Sequence, residues 1–529
     1  MAKFSPEQVI KRHNSASSIK SSWDDKYSEV FKYTMPQRDG YEGNSDSQYD
    51  DRRDTLFTSV GESSADEFVN TMQMELCPPQ ADWLKLEAGE AYGEEKEKEN
   101  HALSQYSKIA NEYKNNSSFD IAFSEFCYDL TAGTACMLVT AGTVDKPLVF
   151  KAISLKDYCI EEGIHSEVRS VYRQFNIKRE LVPHQWRELE GKNFTSGLDG
   201  DASKESMEII ESCIYDYEDK VFRYQVIDKK ERKELLNRVH KSNPFIVLRW
   251  NKTAGEVYGR GVGIKALADI KTLNKVKEYS LRALAFSIPT FLAQQDASVD
   301  YDEFLLEPGA LNVVPSTQLN NPSIAPLQVN NNIDIEQFHM DNLAMDIKGA
   351  MYANTLPTEP TGEMTAYEVA TRESTLNKNL TSVYGRLIGE FVNPVHRRIF
   401  EILDSLGLLP VEDMVERIDG YWIKAKVNSS LYNKLKMAEA GKIVNAVQML
   451  FGVDPTGQVV QQSLKTDTLL PYLLGIMSVP EEFISTTDEI NSAKAMQAIT
   501  QRQQQVQGMK DEALLEGAKA EQKSQYEKR

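Results

Sequence analysis

The sequence predicts an α+β protein whose second half turns to long helices. Three observations carry this expectation. Up to Leu130 apolar residues fall mainly at helical spacing. From Ala135 to Trp250 short apolar runs and two-residue alternation dominate. From Gly263 onward three long helical patterns follow one another, separated by an Asn- and Pro-rich insert and then by a short proline loop.

The chain has 529 residues, which suggests about three to four domain-sized units. Hydrophobic residues at 41% and charged residues at 26% exclude wholesale disorder. The formal net charge of −19 argues against a protein that coats nucleic acid through a basic surface, since such binding neutralises phosphates. A protein that touches DNA without gripping it stays open. Cys77, Cys127, Cys136, Cys159 and Cys213 form no C-x-x-C pair and read as reduced thiols, with Cys127 and Cys136 in apolar, inert surroundings. The opening MAKFSPEQVIKRH has no apolar run, so no secretion signal is expected. Leu469–Met477 is too short to span a bilayer, so no membrane partner is expected either.

Element by element, Trp23–Tyr33 reads as an amphipathic helix stopped by Pro36, and Val60–Leu76 as a second helix with Ala65, Phe68, Val69 and Met72 on one side. Trp83–Leu86 alternates as a strand, Glu94–Asn100 reads as a solvated helix face, and Ile121–Leu130 as a buried helix. Strands are expected at Ala135–Thr140, Leu148–Ile153 and Val168–Phe175. A hairpin over Cys213–Ile227 turns near Asp219, and Phe245–Trp250 (FIVLRW) follows it. Ile264–Ile288 is a long helix, with Ile264, Leu267, Ile270, Leu273 and Val276 three apart. The insert Pro289–Asn332 holds strand candidates at Phe304–Leu306 and Leu311–Val314, and helix resumes over Ile333–Tyr352. The breaker Asn354–Gly362 (NTLPTEPTG) carries two prolines. A third helix then starts on the capping box Thr365-x-x-Glu368 and should kink at Pro394. Val411–Pro480 reads as mixed and mostly helical. Glu489–Arg529 is polar and Gln-rich, either disordered or a helix stabilised only beside copies of itself.

The search for chemistry returns little. Gly259-Arg260-Gly261-Val262-Gly263 is the best candidate nucleotide site, but Ile264 stands where a dinucleotide loop needs its third glycine, and eight residues separate the strand from the glycines. A strand-to-helix corner is the simpler reading. No G-x-x-x-x-G-K-[ST] motif appears, the seven histidines are scattered, and no acidic pair looks catalytic. The sequence therefore points to a protein that is not an enzyme, with no metal and no cofactor. The long helix after Gly263 is locally basic, with Lys265, Lys271, Lys275, Lys277 and Arg282 against Asp269 and Glu278. It faces nucleic acid, faces an acidic partner, or is simply solvated.

In several places the chain resembles the portal proteins (head-to-tail connectors) of short-tailed, podovirus-like bacteriophages. The early helix ending Tyr33-Thr34-Met35-Pro36 is similar to the family's opening helix, and Leu76–Leu86 (LCPPQADWLKL) to its proline-then-tryptophan strand entry. Most specific is Pro244–Val276, a strand ending in Arg249, then Gly255–Arg260 and a long helix. Met364–Val369 matches the start of the family's kinked helix. The likeness runs in order over most of residues 20–500; residues 289–332 and the tail match in character only.

The resemblance implies a ring, usually of twelve copies, at one capsid vertex of the virion, assembled in the bacterial host cytoplasm. Double-stranded DNA would be packaged and ejected through it without sequence specificity. It implies a wing (1–262), stem helices (263–288 and 333–353) bracketing a clip (289–332), a tunnel loop (354–364), a kinked helix (365–409), a crown (410–482) and a C-terminal barrel-like or flexible tail (483–529). Implied partners are terminase during packaging, tail adaptor or nozzle proteins, scaffold and major capsid protein, and internal core proteins. Thr358, Glu359, Pro360, Thr361, Gly362 and Glu363 would line the DNA channel, the five basic residues above would face the channel or an interface, and Asn354 and Pro394 would be hinge and kink. A ring of such acidic chains would repel phosphates and let DNA slide. The alternatives are a cytosolic nucleotide-dependent enzyme using the corner near Gly261, and a neck or tail adaptor, a class usually much shorter and without paired long helices.

Overall fold

The computed structural model describes residues 4–36, 55–143, 145–189, 206–287, 291–293, 324–326, 333–353, 383, 385–409, 417–418 and 421–427, with a few isolated helical positions beyond. The chain divides into two compact units, Met1–Leu431 and Tyr432–Arg529. The described architecture below belongs to the first.

Helix α1 spans Pro6–Thr34, far longer than the Trp23–Tyr33 pattern suggested. Its start is fixed by a capping box in which Ser5 and Gln8 satisfy each other's backbone N–H groups, with Pro6 in the first turn. The early half was illegible because only Val9 and Ala16, with partly buried Ile10, serve as its apolar face; they cover one side of a sheet with Cys159, Tyr172, Ile210, Ile214 and Ile227. Its later half sends Tyr27, Val30 and Phe31 into the larger core on the other side.

That sheet has five antiparallel strands in the order β4-β5-β6-β7-β8: β4 (Tyr158–Glu162), β5 (Val168–Lys178), β6 (Ser206–Asp216), β7 (Val221–Asp228) and β8 (Lys233–His240). The hairpin turn lies at 217–220, beside Asp219 as expected, with Tyr215 opposite Phe222 and Cys213 opposite Tyr224. Strands β4 and β8 were not expected. The first is short, and the second alternates weakly, with only Leu236 buried along it.

Helix α2 (Val60–Leu76) and the buried helix α4 (Phe119–Ala132) pack together. Helix α4 lies against a second sheet ordered β3-β2-β9, made of β2 (Thr134–Ala141), β3 (Leu148–Ile153) and β9 (Phe245–Arg249). Every residue of β9 is buried, as its unbroken apolar run requires.

Strand β1 (Leu84–Ala88) pairs with β12 (Ile423–Val427). Its other edge is closed by side chains of α3 (Lys96–Asn115). Asn111 and Ser107 accept the Leu84 and Leu86 N–H groups at 3.1 and 3.0 Å, and Asn100 accepts that of Ala88 at 2.7 Å. The partner strand β12 was expected within a mostly helical crown. Its five-residue alternation takes its meaning from a partner more than 300 positions away.

After the short helix α5 (Val182–Gln185), helix α6 covers Val262–Ser287 and helix α7 Ile333–Ala350, the last two close to the ranges the periodicity gave. Between them, Phe291–Ala293 (β10) pairs with Ile324–Pro326 (β11), two strands not anticipated. The strands expected at Phe304–Leu306 and Leu311–Val314 lie outside the described residues. So do residues 354–382, which include Asn354 and the loop Thr358–Glu363. The chain is described again at Val383 and Gly385, passes through a π-helical turn at Leu387–Val392, and continues as α8, Asn393–Ser405. The irregularity thus precedes Pro394, which lies just past the π-turn in a continuous helix, so the carbonyl its missing N–H would have served falls inside that turn.

Candidate functional site

The glycine corner is a crossing of backbones. Trp250 N–H donates to the Gly133 carbonyl at 2.8 Å and Gly261 N–H to the Ala132 carbonyl at 3.0 Å. Gly259 N–H donates to Thr134 Oγ1, and the Tyr27 hydroxyl to the Gly259 carbonyl, each at 2.8 Å. A Cβ on Gly259 would collide with the Gly133 carbonyl, and one on Gly261 with that of Thr131. The glycines bring β9, α4 and the start of α6 into contact, and protein fills the space a nucleotide phosphate would need. The geometry supports the corner reading and gives the nucleotide alternative no cavity.

Helix α6 then leaves the core. Ala266, Leu267, Ile270, Leu273 and Asn274 are buried, whereas Tyr279 and Leu281 are 57% and 48% exposed. Met345 on α7, which packs beside α6, is 67% exposed. Lys265, Lys271, Lys275, Lys277 and Arg282 are all exposed on α6. Three of them are engaged within the chain. Lys271 pairs with Glu29 of α1, and Lys275 and Arg282 share Glu278 at 2.8 and 2.6 Å. Three of the five cations are thus met by two carboxylates, one of them brought from α1, and a smaller local excess of positive charge remains.

At the junction of the π-turn with the two sheets lies a densely connected polar cluster. Arg249, at the end of β9, is 1% exposed. Its guanidinium forks onto Glu390 in the π-turn, Nη2 to Oε1 at 2.6 Å and Nε to Oε2 at 3.2 Å, and its backbone N–H donates to the same carboxylate at 3.0 Å. It also pairs with Glu162 of β4 and donates to the carbonyls of Ser166 (2.8 Å) and Val257 (3.1 Å). Lys252 joins Glu162, and Arg386 reaches Glu390 at 3.2 Å. A bulge at Glu161/Glu162 marks where β4 sends one carboxylate to Arg12 and the next to Arg249. Burial works to lower the Arg249 pKa, but the two carboxylates outweigh it and the guanidinium is held more firmly protonated than usual.

A second cluster fixes α8. Glu401 accepts the Lys241 and Ser242 backbone N–H groups at 2.8 and 3.0 Å and pairs with Arg398 at 3.0 Å. Burial pushes its carboxyl up, but His240, Arg398 and the turn donors prevail and hold it at about 2. Phe391, Val392, Val395, Ile399, Phe400 and Leu403 are fully buried. Upstream the buried face continues through Leu387 and Val383, while on the other side Gly385 and Gly389 are exposed and a Cβ on either would meet nothing. Each glycine costs a helix about 1 kcal/mol relative to alanine, and no packing requires either.

Of the expected site residues, the five basic side chains share α6 and Pro394 stands beside the π-turn, while Asn354 and residues 358–363 lie outside the described residues. Glu162 and Glu390 were not foreseen. The available signals were an arginine closing an otherwise apolar strand and two glycines four apart before a proline. All five cysteines are free and buried. Among the described residues no helix is long and apolar enough to cross a membrane.

Residues 6–484 match the family described as "Bacteriophage head to tail connecting protein". The chain belongs to that family, the one its motif order resembles, and its class of role is structural. A protein of Bordetella phage BPP-1 described as "Probable portal protein" is 20% identical over 423 residues, which cover 76% of this chain and 75% of that one. A chain from the virion of the native gene transfer agent particle aligns over 74% of this chain and 88% of its own, at 10% identity and a TM-score of 0.33.

Proposed function

We propose that the protein is the portal of a short-tailed phage: a closed ring, of twelve copies in the family's usual form, through which double-stranded DNA is packaged and later ejected. The observation that carries the reading is the helix pair α6–α7 within a chain matched to the connector family over residues 6–484. Helix α6 roots one half in the core and exposes Tyr279 and Leu281 on the other, and Met345 is exposed on α7. A single chain leaves these apolar side chains to water, and neighbouring copies in a ring would cover them.

In this reading residues 1–262 are the wing, 289–332 the clip that docks terminase and later tail adaptor or nozzle proteins, and 354–364 the loop that meets DNA. Scaffold, major capsid protein and internal core proteins would contact the ring from outside and above. The loop carries Thr358, Glu359, Thr361 and Glu363 and no basic residue. Contact with phosphate would therefore be brief and indifferent to sequence. Pro357 and Pro360 restrict its backbone, so bending would fall at its flanks, near Asn354 and Gly362.

Packaging and retention by assembled heads test the assignment. Glu359→Lys with Glu363→Lys should slow DNA passage, more so at low salt, and deletion of Thr358–Thr361 should leave assembly intact but let packaged DNA leak. If both variants package and hold DNA like the parent, the loop is an ordinary turn.

A further inference from the structure

Beyond the core, helices α6 and α7 carry charge of opposite sign at the same height. Trp250, ahead of α6, packs edge-on to Tyr352, just past the end of α7, at 5.8 Å between centroids. Both helices therefore meet the core at this end, α6 leaving it and α7 returning to it. Among the described residues the buried apolar stripe ends at Leu273 on α6 and starts at Ile347 on α7. The stretches beyond, 275–282 and 339–346, lie side by side, since the two helices pack together. The first holds Lys275, Lys277 and Arg282 against one carboxylate, Glu278. The second holds Asp341 and Asp346 and no lysine or arginine. Both aspartates are exposed, and no described lysine or arginine is in ion-pair contact with either. Each stretch also offers a large apolar side chain: Tyr279, with the Lys275 amine 5.0 Å from its ring, and Met345 between the two aspartates. These two stay exposed although α6 packs on α7, so they stand on faces that the chain itself does not cover.

We infer that residues 275–282 of α6 on one copy dock against residues 339–346 of α7 on the next, with Tyr279 beside Met345 and the surplus cations beside Asp341 and Asp346. This pairing rests on the ring reading above and names the helix faces that would meet in it. Two α6 faces together would set cation against cation, and two α7 faces carboxylate against carboxylate. Only the mixed contact opposes the signs, and a mixed contact is head-to-tail, the kind that closes into rings. Cyclic symmetry keeps every copy at one height along the axis, so groups level with each other in one chain are level between neighbours as well. The opposed charges thus select the neighbour's α7 for each α6, and the tyrosine and methionine supply the apolar centre that the charges rim.

Sedimentation velocity of full-length chains, read as the concentration of half-assembly, tests the pairing. Reversing α6 (Lys275→Glu, Lys277→Glu, Glu278→Lys and Arg282→Glu) swaps its signs and keeps its internal pairs; reversing α7 takes Asp341→Lys and Asp346→Lys. Each reversed chain alone sets like charges across every contact, and its half-assembly concentration should rise about tenfold or more. An equal mixture of the two should assemble as the parent does, because copies alternating around the ring oppose the signs again. Reversed chains that each assemble like the parent would overturn the inference. So would a mixture that stays unassembled while a chain carrying both reversals assembles, since the charges would then act within one chain. Asp341→Asn with Asp346→Asn is a milder variant that keeps both side chains' shape. It should raise the half-assembly concentration severalfold at low salt, with the gap closing at high salt, and an unchanged concentration would overturn the inference by itself. A parent that never assembles would overturn the ring reading, and the pairing with it.

Discussion

His396 carries the clearest single-residue consequence. It is fully buried with its ring edge-on to Trp83, 6.0 Å between centroids, and its Nδ1–H donates to the Val392 carbonyl at 2.8 Å. Burial lowers its pKa from 6.5 to about 4. As pH falls through 6.5 the unfolded chain takes up this proton and the folded chain does not, so stability declines between pH 6.5 and 4, by roughly 3 kcal/mol at the lower end. Glu401 acts in the same direction further down: held at about 2 against an ordinary 4.5, it contributes stability above pH 4.5 that is lost as pH falls toward 2. Melting temperatures from pH 7 to 4 should fall for the parent and fall less steeply for His396→Gln. Equal slopes would mean that His396 takes up its proton in the fold as readily as in the unfolded chain. Arg249 offers a second test. Arg249→Met leaves Glu162 and Glu390 without their shared cation and should cost about 3–5 kcal/mol in urea unfolding; a loss under 1 kcal/mol would show that Lys252 and Arg386 suffice.

Elements differ in what their glycines are for, and this gives predictions of opposite sign. At the start of α6, Gly261 lies against the Thr131 carbonyl, and Gly261→Ala should destabilise by at least about 2 kcal/mol. At Gly385, where a Cβ meets nothing, Gly385→Ala should stabilise by about 1 kcal/mol. Thermal melts of the two variants side by side decide both. Sequence alone shows glycines at both places and cannot separate them, because the distinction lies in which backbone crosses nearby. The same holds more widely. Helices α2, α6 and α7 and strands β2, β3, β5 and β9 were legible because their apolar period is local and strong. The first half of α1 was illegible because a helix lying along a sheet needs few apolar residues. Strands β4, β8 and β12 are short or weakly alternating and become strands through their partners. The basic face of α6 was legible as composition, but the pairing of Lys271 with Glu29 depends on a contact 242 positions away. Glu390 could not be paired with Arg249 across 141 positions by spacing of any kind.

For the whole molecule, membership of the connector family and the exposed apolar residues of α6 and α7 support the assembly proposed above. The Gln-rich segment 489–529 has sparse apolar positions, so its removal should leave that assembly intact, with an unchanged sedimentation coefficient apart from the lost mass. If the shortened chain fails to assemble, the segment is part of the oligomer's core. The central claim is the ring itself, and sedimentation velocity of the purified full-length protein at micromolar concentration and physiological salt, with negative-stain images of the same sample, tests it most directly. The account predicts a particle of several hundred kilodaltons with a central hole, about twelve times the mass of the chain if the family's usual copy number holds; a stable monomer of 59.9 kDa would contradict it.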